Sequence, residues 1–98
     1  MEINLRALNR RGPNSEALRR YQHVAQLLTE NPAAQPRDGV EWVRRLITDL
    51  RIPPLRTYGI TREHVAELCE HALKSSSMKA NPVALEPQEL AEALEKAL

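Results

Sequence analysis

Apolar residues recur at intervals of three and four along most of this 98-residue chain, the spacing that places them on one side of an α-helix. Prolines, glycines and helix-capping residues interrupt the pattern, so five helical stretches can be separated. No stretch alternates between apolar and polar residues in the way that indicates a strand. The predicted fold is therefore all-α, a small bundle of about five short helices in a single helical domain over residues 1–98.

Each predicted helix begins at a residue that can cap or start it. In chain order the helices cover residues 2–10, then begin at Asn14 or Ser15, at Asp38 in a capping box, at Thr61 and at Pro87. Two pairs, Gly12-Pro13 and Pro53-Pro54, end the first and third helices. Residues 75–82 are rich in serine and contain Asn-Pro, so a loop is expected there.

The apolar stripes predict which residues form the core. The first helix carries Ile3, Leu5 and Leu8, and the third presents Val40, Val43, Ile47 and Leu50 with Trp42 and Leu46 beside them. Phenylalanine is absent and aromatic residues are only 3%, which leaves a core of small and branched aliphatic side chains. Trp42 is expected to pack in the core or an interface, and the stripe of the fourth helix places Cys69 in the core.

Composition and charge exclude several classes of function. The net charge of +1 provides no field that would gather nucleic acid or an anionic membrane, so neither is expected as a partner. The charge is uneven, since residues 1–20 hold five arginines against two glutamates while residues 61–98 hold four cations against seven glutamates. A single cysteine excludes an internal disulfide, and no segment has the length of a signal peptide core or a membrane span. A reducing, cytoplasmic location is expected.

Three groups of residues were weighed as chemical sites. His64, Glu67 and His71 share one helix face, but seven residues separate the two histidines by roughly 10 Å, too far for one ion at M–N distances of about 2.0–2.1 Å. Ser76-Ser77-Met78-Lys79 has the S-x-x-K pattern of serine acyl-enzymes without its supporting motifs, so its hydroxyls are expected to bond helix-end carbonyls instead. Three scattered glycines do not make a dinucleotide-binding loop.

The most informative motif is Ser75-Ser76-Ser77-Met78-Lys79-Ala80-Asn81-Pro82, preceded by Ile52-Pro53-Pro54-Leu55 and Tyr58-Gly59-Ile60-Thr61. These segments resemble the C-terminal end of the iron-containing alcohol dehydrogenases, which read S-S-S-M-K-G-N-P and I-P-x-L-x-x-Y-G there. The resemblance extends through Asp38-Gly39-Val40 and Tyr21 to Asn4, and so covers nearly all of the chain.

The resemblance implies a helical fold. It is the fold of the C-terminal end of the helical domain found in dehydroquinate synthase-like proteins and iron alcohol dehydrogenases. The resemblance also implies a family activity, the interconversion of alcohols with aldehydes or ketones, that uses iron or zinc and NAD(P). The family's metal ligands and nucleotide site lie outside the segment that this chain resembles, so no cofactor, metal ligand or catalytic residue is expected here. By resemblance alone, Ser77 and Met78 line the substrate pocket wall. Ala80 replaces the family's glycine, and it would be strained if the backbone there needs a positive φ.

Two interpretations remain open. The chain corresponds to a piece of an oxidoreductase that is inactive alone and needs a missing N-terminal partner segment, or it is a free-standing helical module for protein interaction or self-association. In the first case the absence of neighbouring helices would expose apolar surface, so a homo-oligomer is expected there as well as in the second case. The apolar stripe of Ile3, Leu5 and Leu8 is the surface predicted to mediate it.

Overall fold

The computed structural model describes all residues, 1–98, and contains six α-helices with two short 3₁₀ turns and no strand. The helices are α1 (Glu2–Arg11), α2 (Glu16–Thr29), α3 (Pro36–Asp49), α4 (Val65–Lys74), α5 (Ser76–Lys79) and α6 (Pro87–Ala97), and the 3₁₀ turns are Leu55–Tyr58 and Arg62–His64. The all-α prediction is confirmed. The expected number of helices was one too low because part of the serine-rich segment forms α5.

Residues 1–52 and residues 53–98 form two compact units. The assignment of the whole chain to a single domain stays a prediction.

In the first unit, α2 and α3 pack closely together and α1 packs against both. The core consists mainly of aliphatic residues of α1, with single residues from α2, α3 and the connection between them: Ile3, Leu5, Ala7, Leu8, Ala25, Ala34 and Val40. Gly39 of α3 lies so close to Ala25 of α2 that a Cβ at position 39 would be 3.1 Å from the Ala25 Cβ. The small residues at this crossing therefore allow the two helices to approach.

In the second unit, α4 packs against α6 around a core of Val65, Cys69 and Leu90. Five partly buried side chains complete this cluster: Ala72, Met78, Ala91, Leu94 and Leu98. The predicted burial of Cys69 is confirmed. The core is small and aliphatic, as the composition indicated.

Three of the predicted helix starts are confirmed, and two are wrong. Thr61 precedes the 3₁₀ turn Arg62–His64, and α4 begins only after that turn, at Val65. The Ser15 Oγ accepts a hydrogen bond from the Leu18 amide at 3.4 Å, and α6 begins at Pro87. Asp38, however, lies in the first turn of α3 rather than before it, and its Oδ2 accepts from the Gln35 amide at 2.7 Å. Proline suits the first helical position because its missing N–H would have no partner there, so the helix starts at Pro36.

Candidate functional site

The serine-rich segment connects α4 to α5 and was expected to be a loop. Ser75 is extended (φ −72°, ψ 137°), and its amide donates to the Ala72 carbonyl at 2.9 Å, which ends α4. The Met78 amide then donates to the Ser75 carbonyl at 3.1 Å, and the short helix α5 follows. The expectation of a loop was wrong for residues 76–79, because an extended residue at position 75 frees its carbonyl to start a new helical turn.

The serine hydroxyls do not bond helix-end carbonyls as expected. Instead, the Oγ atoms of Ser75 and Ser77 lie 2.8 Å apart in hydrogen-bond contact. This contact joins the residue before α5 to its second residue. It holds the two hydroxyls at the exposed side of the segment, where the Ser77 side chain faces solvent.

Met78 follows Ser77 but has a different environment. Its side chain is half-buried and packs against the cluster of Val65, Cys69 and Leu90. The segment is thus anchored by Met78 and presents Ser77 outward. The assignment of Ser77 and Met78 to a substrate pocket wall stays a prediction.

Ala80 and Asn81 close the segment without backbone strain. Ala80 has φ −86° and ψ −5°, an ordinary right-handed conformation, so alanine is accommodated where the resembled pattern has glycine. The Asn81 side-chain amide donates to the Val83 carbonyl at 2.7 Å, which orders the connection toward α6.

The three histidines lie on different elements of the chain. The Nδ1 of His64 accepts from the Thr61 amide at 3.0 Å and so caps the turn that leads into α4. The Nε2 of His71 lies 3.7 Å from the Glu67 carboxylate on an exposed helix face, and His23 lies on α2 in the first unit. No group of three or more histidine, cysteine, aspartate or glutamate side chains could hold a metal ion.

A charged cluster that the sequence did not indicate links α1 to α3. Arg44 donates to the carboxylate of Glu2 at 2.6 Å and to that of Glu41 at 2.7 Å. The hydrogen bond that Arg44 donates to Glu2 and the charges of both carboxylates raise the pKa of Arg44. Because all three side chains are well exposed to solvent, the cluster orients α1 on α3 rather than forming a reactive site.

Asn4 and Tyr21 form a second unpredicted contact between helices. The Asn4 side-chain amide, which is buried, donates to the Tyr21 hydroxyl at 3.0 Å. A buried polar group requires such a partner, so the pair fixes the register of α1 on α2.

The comparison with protein families matches residues 1–98, the whole chain, to the Fe-containing alcohol dehydrogenase family, C-terminal. The chain belongs to this family. The comparisons with curated proteins and with solved structures gave no match. Membership in the iron alcohol dehydrogenase family therefore rests on the full-length family match, and the helical fold agrees with it.

The family's cofactors do not fit the residues of this chain. An iron or zinc site needs several nitrogen or oxygen ligands around one point, and these side chains form no such group. A nucleotide site of the βαβ type needs strands, and none is present. No helix is long and apolar enough to cross a membrane.

Proposed function

We propose that this chain acts as the helical C-terminal part of an iron-dependent, NAD(P)-linked alcohol dehydrogenase that interconverts alcohols with aldehydes or ketones. The observation that carries the proposal is the family match over all 98 residues. In this arrangement the metal and the nucleotide are held outside these residues. The chain alone does not oxidise alcohols, and its buried free thiol suits a reducing cytoplasm.

The proposed contribution of the chain to that enzyme is a wall beside the substrate, formed by the segment Ser75–Asn81. The anchoring of Met78 in the core of the second unit supports this, because it fixes the position of the neighbouring Ser77. A hydroxyl that both donates and accepts hydrogen bonds is suited to contact an alcohol or carbonyl oxygen. Ser77 is the residue that would contact the substrate.

Complementation tests the proposal. The chain is mixed or co-produced with the metal- and nucleotide-binding part of a family enzyme from which the C-terminal part has been removed. Alcohol-dependent reduction of NAD(P) is then expected only when both parts are present. If the combination stays inactive while both parts are folded, the proposal is wrong.

Two variants refine this test. Ser77→Ala is expected to raise the KM for the alcohol, while Ser76→Ala, at an exposed neighbouring serine, leaves KM unchanged. Equal KM values for both variants would remove Ser77 from the substrate wall and leave the rest of the proposal standing.

The chain alone provides a separate test. Calorimetry with NAD(H) and NADP(H) is expected to show no saturable binding, and metal analysis after reconstitution should find well below one iron or zinc ion per chain. A stoichiometric metal ion that is lost in His64→Ala or His71→Ala would contradict the proposal that the metal is held outside these residues.

A further inference from the structure

The apolar face of α3 is only partly covered by the core of the first unit. Its six apolar side chains occupy an arc of about 160° around the helix axis, since successive residues are about 100° apart. Burial falls along the helix: Val40 is buried and Val43 half-buried, but Leu46, Ile47 and Leu50 are 38%, 43% and 62% exposed. The C-terminal half of the face is therefore not covered.

This face is as large as the largest apolar patch of a typical monomer, and such patches are often functional. Together with Trp42 and Ile52, which are also exposed, these side chains present roughly 400 Å² of apolar surface, within the range of about 300–600 Å² for the largest patch on a monomer. A stable interface buries about 800 Å² on each partner, so the apolar face would form about half of one. By contrast, Ile3, Leu5 and Leu8, the predicted oligomer surface, are buried in the first unit, and that prediction was wrong.

The charged residues beside the apolar face can pair with the same residues of a second copy of the chain. Arg45 and Asp49, spaced i, i+4, lie on one edge of it, and both are exposed. When two copies of α3 lie antiparallel about Leu46, the middle of the apolar run, Trp42 of one copy comes level with Leu50 of the other. Asp49 of one copy then lies about 3 Å along the axis from Arg45 of the other, because each residue rises about 1.5 Å. Two such pairs form in one symmetric contact.

We propose that the exposed face of α3 binds the same face of a second copy of this chain, antiparallel and centred on Leu46. This inference is independent of the proposed function. The apolar face excludes water from the contact, and the two Arg45–Asp49 pairs fix its direction.

Cross-linking tests the geometry. In Leu46→Cys the new thiols of two copies face each other at the symmetry axis, so mild oxidation is expected to give a disulfide-linked dimer. Leu27→Cys, on α2 and 66% exposed, is the matched control and should cross-link far more slowly. The unmodified chain contains only the buried Cys69 and is the blank. Equal rates for the two cysteine variants would refute the proposed contact.

Sedimentation tests the association itself. The unmodified chain is expected to show a concentration-dependent equilibrium between monomer and dimer, and Leu46→Lys should weaken it by roughly tenfold or more. Leu27→Lys should leave it unchanged. Trp42 is the single tryptophan, so dilution should also shift its fluorescence to the red as the dimer dissociates.

Charge exchange tests the direction of pairing. Arg45→Asp and Asp49→Arg alone are expected to weaken association, and the double variant should restore it because each pair is re-formed with its charges reversed. A double variant as weak as the singles would refute the antiparallel arrangement.

One result separates this inference from the proposed function. If the unmodified chain is a monomer at all concentrations and Leu46→Lys abolishes complementation, the face serves the rest of the enzyme. Self-pairing is then refuted while the proposed function stands.

Discussion

Replacing Gly39 with alanine tests whether the close approach of α2 and α3 is required for stability. In an exposed helix interior the change would stabilise by about 1 kcal/mol, because glycine loses more backbone entropy on folding. Here the added Cβ would lie 3.1 Å from the Ala25 Cβ and 3.2 Å from the Ala25 Cα. The second atom belongs to the backbone and cannot rotate away, so the helices must move apart.

The expected effect is a net loss of stability. Inserting a methyl group into a packed contact costs roughly 1–3 kcal/mol, which exceeds the gain in helix propensity and leaves a loss of about 1 kcal/mol. For a domain of this size that lowers Tm by about 4–8 °C. Thermal and urea unfolding followed by circular dichroism measure it.

Gly12→Ala is the matched control for Gly39→Ala. A Cβ at position 12 would lie no closer than 3.5 Å to Ser15, an ordinary contact, and the φ of −152° lies outside the left-handed region that favours glycine. Its Tm should change little. If Gly39→Ala melts at or above the temperature of the unmodified chain, the helices can separate without loss and the packing argument is refuted.

Four further substitutions test other parts of the fold. Glu30, at the end of α2, has a φ of 53° and Gly59 has a φ of 83°, and a positive φ is costly for any residue with a Cβ. Glu30→Gly should therefore stabilise and Gly59→Ala should destabilise the fold by about 1 kcal/mol each, as measured by urea unfolding. Shifts of the same sign for both variants would contradict this reasoning. Tyr21→Phe removes the hydrogen bond from Asn4 to Tyr21 and should cost about 1 kcal/mol, whereas an unchanged midpoint would show that the contact contributes nothing. Met78→Ala removes a half-buried side chain from the second core and should destabilise by about 1–2 kcal/mol; a loss of complementation activity without loss of stability would instead assign it a role in the substrate wall.

The sequence was sufficient to predict most helix boundaries because these depend on local chemistry. Pro87 and Ser15 act within one turn of themselves, so their effect could be derived without knowledge of the rest of the chain. The start of α3 was misplaced because two local signals compete, a proline at position 36 and an aspartate at position 38. In the predicted capping box the Asp38 carboxylate accepts from the amide three residues further on, whereas in the structure it lies inside the helix and accepts from the Gln35 amide.

The candidate site was less predictable because its geometry depends on contacts between distant residues. Serine and asparagine disfavour helix interiors, yet α5 forms where Met78 packs against α4 and α6. Likewise, the sequence gives no sign that Asn4 and Tyr21 are in contact, and their hydrogen bond between α1 and α2 appears only in the fold. Tertiary packing overrode local preference at both places.

Helical periodicity identifies an apolar stripe but does not show what covers it. For this reason the sequence indicated α1 as the helix with an exposed stripe, whereas in the structure the exposed stripe belongs to α3. The stripe of α1 is short, and α2 and α3 pack against it, so Leu5 and Leu8 are buried in the first unit. The stripe of α3 extends to the end of a 14-residue helix, about 21 Å at 1.5 Å per residue, and its burial declines from Val40 to Leu50. A pattern that is equally apolar along its length is therefore divided by the fold into a part that stabilises the unit and a part that is available for association.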